Sequence, residues 1–239
     1  MENYNDMRNS AGVLPNTFVA NVFMWMFAAL GITALTAYLF GTNVSLILSM
    51  FTVHADGSAS MNILGWIVML APLAIVLIMS FGIEKMKAST MVILYVVYSV
   101  LMGMSLSFIF LAYTGTSIAK TFVVTAGMFG LMAFLGYTTK TDLTKFGSFL
   151  LMGLFGIILA SLVNMFMHSE SIDYIISIIG VLIFTGLTAY DVQKIKEIGM
   201  MGLENDDTMT KISINAALSL YLDFINLFLY LLRFLGRRK

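Results

Sequence analysis

The chain has 239 residues, of which 59% are hydrophobic and only 11% charged, with a mean hydropathy of +0.93. A soluble domain carries about 25% charged residues, so these few polar groups cannot cover a water-facing surface; one compact helical domain in a membrane is expected. Thirteen basic residues balance thirteen acidic ones, which argues against a nucleic-acid partner, and the absence of cysteine excludes disulfides, thiolate metal sites and cysteine nucleophiles.

Residues 1–16 are polar, with Glu2 and Asp6 ahead of the first apolar run. A cleavable signal would open with a basic region, so this segment reads as an N-terminal cytoplasmic tail. Seven segments then reach the roughly 20 apolar residues needed to cross a bilayer: 17–40, 61–83, 89–113, 119–138, 147–167, 173–192 and 212–234. Lipid offers backbone groups no partners, so each is predicted to be a helix; the runs are too continuous for the alternating strands of a barrel. The transmembrane domain is therefore 17–236, followed by a basic tail at 237–239. Pro72 and the glycines within the spans, such as Gly153 and Gly156, suit close helix packing.

Between the first two spans, Val44–Val53 is apolar but too short to cross, and 54–60 is a polar loop. His54 and His168 fall in separate predicted loops and read as solvated residues rather than metal ligands. The longest polar connection, Glu197–Thr210, carries Glu204, Asp206 and Asp207, either as a solvated loop or as a cation attractor at a pore mouth.

Alternate connections collect the positive charge: Arg8 in the tail, Lys85 and Lys87 after the second span, Lys140 and Lys145 after the fourth, and Lys194, Lys196 and Lys211 around the loop after the sixth. The opposite connections hold only Lys120. This asymmetry places the N-terminus in the cytoplasm. A full seventh span then puts Arg237, Arg238 and Lys239 outside, against the same rule.

The last span contains a charge where none is cheap. From Ile212 to Leu232, Asp223 is the single formal charge. An ionised carboxylate at the bilayer centre costs several kcal/mol or more, at least about 2.5 even on the most lenient scale, and such residues usually face a cavity or a partner. Asp223 is not isolated. At helical spacing Asn215, Ser219, Asp223, Asn226, Tyr230 and Arg233 share an arc of about 80°. Such a stripe in an otherwise apolar bundle is expected to face inward, making the last helix central with six helices around it. Packing between helices would account for the Asn and Ser residues, but it does not require a carboxylate.

A second acid, Asp191, follows the charge-free run Tyr174–Tyr190 in the sixth span. Its position suggests a shallower depth, about one turn from the cytoplasmic interface. One reading pairs it locally with Lys194, three residues on. The other pairs it with Asp223; two carboxylates in a low dielectric cannot easily both ionise, so the pair would titrate as a unit near physiological pH. Their oxygens also suit Ca²⁺.

The string ALSLYLDFINLFLYLLRFLG at 217–236 resembles the signature of the transmembrane Bax inhibitor motif family, particularly its bacterial, YccA-like members. The AYDVQKIK stretch after the sixth span, the seven-span count and the length agree, so the resemblance covers nearly the whole chain. It implies a bundle of six helices around the seventh in the bacterial inner membrane. It also implies a pH-sensitive calcium leak with a di-aspartyl sensor, placed by the motif at Asp191 and Asp223. The family pattern adds a basic latch near the cytoplasmic end of the second span; FGIEKMKAST offers Lys85, with Lys87 next, where an arginine is expected. An ammonium lacks the bidentate fork of Arg.

The sequence thus leads to a proton-gated Ca²⁺ leak. Asp191, Asp223 and Lys85 form the gate, the two aspartates hold the ion, and Asn215, Ser219, Asn226, Tyr230 and Arg233 continue the stripe. Lipid, Ca²⁺ and protons are the expected partners, and no other cofactor is implied. A non-conducting regulator of membrane proteases, channels or lipids is the alternative. An intramembrane aspartyl protease is disfavoured and no enzyme is expected: Tyr190–Asp191 matches a YD motif, but LYL precedes Asp223 where a Gly-flanked site would be needed. A secondary transporter would usually show an internal repeat, and none is present.

Overall fold

The computed structural model describes residues 2–54, 57–201, 206–237 and 239, with side chains from residue 16 onward. Ala55 and Asp56 of the polar loop, and the side chains of Glu2, Asp6, Arg8, Glu204 and Arg238 weighed above, lie outside these residues. Nine helices and a small hairpin are described: α1 (Glu2–Thr42), α2 (Val44–Leu48), β1 (Phe51–Val53), β2 (Ala59–Met61), α3 (Ile63–Gly82), α4 (Ala88–Leu106), α5 (Ile109–Ala112), α6 (Gly115–Thr138), α7 (Thr144–Met167), α8 (Glu170–Met200) and α9 (Asp206–Leu235). Seven stretches are long and apolar enough to cross a membrane, with α4 and α5 together making the third. The protein is an all-α, multi-helix membrane bundle.

Two elements add detail to the sequence expectation. The N-terminal segment read as a tail is helical and continuous with the first span, which begins at Asn16. The short apolar stretch after it makes no span; it forms α2 and β1. Asn43 caps α2, its side chain accepting from the Ser45 and Leu46 amides. Strand β1 pairs antiparallel with β2, Thr52 opposite Ser60. Gly57, at φ +81°, makes the turn, a conformation that favours glycine.

The chain divides into two compact units. One comprises residues 21–114, 203–218 and 238–239. There α4 turns a face of Met91, Tyr95, Tyr98, Ser99, Gly103 and Leu106 inward, the spacing of a helix buried along one side. Thr33 of α1 donates to the Ser99 carbonyl at 2.9 Å, and the backbone of α1 comes so close to Gly103 that a side chain would collide with the Thr33 carbonyl.

The other unit comprises residues 1–20, 115–202 and 219–237, and α8 is packed against both α6 and α7. The α7–α8 turn closes tightly. His168 adopts the left-handed conformation that ends α7, and Asn164 bonds the backbone of Ser169 through both ends of its amide. Large apolar side chains such as Phe134, Phe149, Phe155 and Phe166 project outward, as lipid contact demands and water would not favour. Burial is greatest in the last two spans: 56% of the apolar stretch in α9 and 50% in α8, against 17–39% in the other five. The expected burial of the last helix is present, and α8 nearly shares it.

Candidate functional site: a buried aspartate pair

Asp191 and Asp223 lie in the same unit, and their carboxyl groups are near enough to act on each other. A bond between two carboxyl groups needs a proton on one of them. Asp223 is 6% exposed, and its Oδ2 has no hydrogen-bond partner among the described residues. A buried carboxyl oxygen left unpaired costs about 1–3 kcal/mol, more if charged. The pair is therefore an expensive group held in place by its surroundings.

Those surroundings can be read from the residues flanking Asp191. Ala189 packs against Gly136 of α6, and Tyr190 lays its ring on Gly147 of α7. Only glycine leaves room at either point. Past Asp191, Val192, Gln193 and Ile195 are buried. On α9, Phe224 meets Phe122 and Phe129 of α6 edge-on, at centroid distances of 5.3 and 5.5 Å, and Phe228 meets Phe122 at 6.2 Å. Such contacts add about 0.5–1.5 kcal/mol each beyond burial and fix the helix beside Asp223.

Helix α8 continues to Met200, nine residues and roughly 13 Å beyond Asp191, so it outlasts the apolar run that ends at Tyr190 by more than two turns.

The polar stripe of α9 is continuous but unequal. Asp223 is buried; Asn215, Ser219, Asn226 and Tyr230 are half-buried; Arg233 is exposed. The opposite face, with Ala217, Leu220, Tyr221, Phe224 and Phe228, is fully buried. The stripe is thus the accessible side of a deeply packed helix. Asn226 donates to the Leu222 carbonyl of its own helix at 2.8 Å. Tyr230 stacks on Phe184 and covers Gly180. Arg233 donates to Asp173 Oδ1 at 2.8 Å and lies 5.8 Å from the Tyr230 ring centroid. The far end of the stripe is therefore tied to the start of α8.

Lys85 is exposed in the 83–87 turn of the other unit. The described residues contain two salt bridges, Lys211–Asp207 at 3.5 Å and Arg233–Asp173 at 2.8 Å. His54 and His168 are each exposed on their own turn, and no group of three or more His, Cys, Asp or Glu side chains assembles among the described residues.

Sequence reasoning missed a set of polar residues that act across long separations. Gln193 and Lys196 bond the backbone of the α6–α7 connection. Asp207, read as a loop acid, accepts from the amide of Ala88, 119 residues away. Asp173 engages Arg233. A short acid at the start of a long apolar run, as at Asp173 and Asp207, is the one signal that could have marked two of them.

Comparison with known proteins agrees with this architecture. The chain is 46% identical over 224 residues to the inner membrane protein YbhL of Escherichia coli (strain K12), covering 93% of this chain and 92% of that protein. It is 47% identical over 227 residues to a protein of Borreliella burgdorferi, covering 95% and 94%. It is 33% identical over 226 residues to the membrane protein M6_Spy0327 of Streptococcus pyogenes serotype M6, covering 93% of each. The family model described as inhibitor of apoptosis-promoting Bax1 matches residues 15–239, and the chain belongs to this Bax inhibitor family.

Proposed function

We propose that the protein is a pH-sensitive calcium leak channel of the bacterial inner membrane, with its N-terminus in the cytoplasm and the Asp191–Asp223 pair as its proton sensor. The observation that carries this reading is the burial of one carboxyl group, Asp223 at 6% exposure, beside a second, Asp191. With one proton between them the acids tie α8 to α9. Without it, two adjacent negative charges in a poorly solvated site repel, and the helices separate or accept a cation. The pair takes up and releases protons as a unit.

Ca²⁺ fits the chemistry of the donors. It takes about six to eight oxygen ligands, and two carboxylates offer at most four. Backbone carbonyls or water must supply the rest. Such an incomplete site binds weakly, which suits an ion in transit rather than a resident one. The polar, accessible side of α9 supports a path leading to the pair, because a row of Asn, Ser, Asp and Tyr gains nothing from facing lipid. No catalytic residue is assigned.

The test is Ca²⁺ flux into dye-loaded proteoliposomes across pH. Asp191→Asn and Asp223→Asn are expected to flatten the pH dependence. Unchanged flux and unchanged pH dependence in both variants would assign the gate elsewhere. A second reading, a non-conducting regulator of other membrane proteins, draws on the family description as an inhibitor. Purified protein that conducts nothing at any pH, yet retains a stoichiometric membrane partner, selects that reading.

A further inference from the structure

The α6–α7 connection is built onto α8. Residues Thr139–Leu143 belong to no helix, so their backbone groups need partners. Gln193 supplies two. Its Oε1 accepts from the Leu143 amide and its Nε2 donates to the Thr141 carbonyl, both at 2.8 Å. The side chain is 8% exposed. Lys196, nearly one turn on, donates to the Tyr137 carbonyl at 2.8 Å and lies 5.1 Å from that ring's centroid; the Tyr137 hydroxyl in turn donates to Asn16.

Gln193 is two positions past Asp191, hence about 200° around the helix. The carboxylate faces α9 while the amide faces away, into the connection. Before Asp191, the Gly136–Ala189 and Gly147–Tyr190 contacts hold α8 by shape. After it, Gln193 and Lys196 hold α8 by hydrogen bonds. A carboxyl group lies about 5–6 Å from the helix axis, so turning α8 by about 30° would carry it about 3 Å. That displacement breaks a hydrogen bond.

We propose that Gln193 is a positioning residue for the aspartate pair: by bonding the backbone of residues 141–143 at both ends of its amide, it fixes the rotation of α8 and so the direction in which Asp191 meets Asp223. The inference deepens the proton-sensor reading and rests on it. The groups acting electrically on Asp191 are Lys194, on its own helix, and Asp223. Tyr137, Lys140, Asp142 and Lys145, at the adjoining ends of α6 and α7, are exposed or half-exposed. Gln193→Met changes none of these charges and nearly conserves volume, so it removes the two hydrogen bonds alone.

The experiment is an infrared titration of the full-length protein in lipid, following the protonated-carboxyl band assigned by its loss in Asp191→Asn and Asp223→Asn. Gln193→Met is expected to move the midpoint of that band by about half a pH unit or more, a differential interaction of about 0.7 kcal/mol. Ile195→Ala, which empties a buried site on the same helix without touching the connection, is the control for destabilisation alone. It should lower the melting temperature and leave the midpoint in place. If Gln193→Met fails to fold, Gln193→Asn, which retains the amide on a shorter reach, serves as the second variant with the same expected shift. A midpoint unmoved by either, or moved equally by Ile195→Ala, overturns the proposal, as does a wild-type band that does not depend on the two aspartates. Because the band is read without ions, absence of Ca²⁺ flux counts against the leak reading and leaves this inference standing.

Discussion

Gly136 and Ala189 bring α6 and α8 together with no side chain between them: a methyl group added at Gly136 would meet the Ala189 carbonyl oxygen and backbone carbons. The obstruction is backbone, so it cannot swing aside. Gly136→Ala must push the two helices apart two residues before Asp191. Overpacking of this kind costs about 1–3 kcal/mol. Gly127, earlier on the same helix, has nothing within 4 Å of the same added group. Gly127→Ala should be neutral or stabilising by up to about 1 kcal/mol, through helix propensity and loss of unfolded-state freedom. Thermal melts of both variants in detergent, beside wild type, measure the difference. Equal melting temperatures would show that the contact is not tight.

Asp142 starts α7. The Thr144 hydroxyl and the Thr144 amide, the latter at 2.8 Å, bond its carboxylate, and Lys145 stands nearby; together they hold it below the ordinary value of 3.8. A carboxylate lowered in the folded state stabilises the fold above its unfolded pKa, and that contribution disappears as pH falls through the folded pKa. Asp142→Ala should therefore melt earlier than wild type at neutral pH. The gap should begin to narrow as pH falls below 3.8 and close once pH is below the lowered folded-state value. Asp142→Asn keeps an acceptor for the Thr144 amide and should show a smaller gap with little pH dependence. A gap that persists unchanged in acid would mean that the charge plays no part in the cap.

Much of the bundle was legible in the sequence, because lipid imposes length and apolar composition on each span. The aspartate pair was legible as well, since a carboxylate in an apolar run is costly enough to need a partner. Sequence spacing failed where a partner is distant and polar. Nothing about Gln193 signals that the Thr141 carbonyl and the Leu143 amide wait about fifty residues upstream. The length of α8 was not legible either: the helix continues through Gln193, Lys194, Lys196 and Glu197, which composition alone assigns to a connection. The polar stripe was legible as a stripe, but its side was not: expected to face inward, it is the accessible side of α9, because the apolar face opposite takes the packing.

Asp207 caps a helix other than its own. Lys87 precedes α4 with no side-chain cap, and the Ala88 amide donates instead to Asp207 Oδ1 at 3.0 Å. The N-terminus of α4 and the first turn of α9 are joined by this bond. Removing a cap of this kind costs about 1 kcal/mol. Asp207→Ala should lower stability by that amount, while Asp207→Asn, which can still accept from the amide, should recover most of it. Hydrogen exchange at the first turn of α4 localises the effect. Protection at Ala88–Met91 that is equal in wild type and Asp207→Ala would show that water caps the helix as well as Asp207 does.

The C-terminus returns to the connection between the third and fourth spans. The Lys239 amide donates to the Ala112 carbonyl at 3.0 Å and its Nζ to the Phe110 carbonyl at 2.7 Å, while the Arg237 amide donates to Ser117 Oγ at 2.8 Å. Seven crossings require the chain to end on the side opposite its start, and these bonds tie its end to a connection that the charge pattern places outside. On that expected orientation the basic residues at 237–239 break the positive-inside pattern, and the bonds of Arg237 and Lys239 to the 110–117 segment give those two a local reason to be there. The chain has no cysteine, so single cysteines report without background. With a membrane-impermeant maleimide on intact spheroplasts, Thr116→Cys and Lys239→Cys should label, and Lys140→Cys should label only after the membrane is opened. Labelling of Lys140→Cys alone would reverse the orientation while keeping seven crossings. Labelling of Lys239→Cys together with Lys140→Cys, and not with Thr116→Cys, would mean that the last helix does not cross.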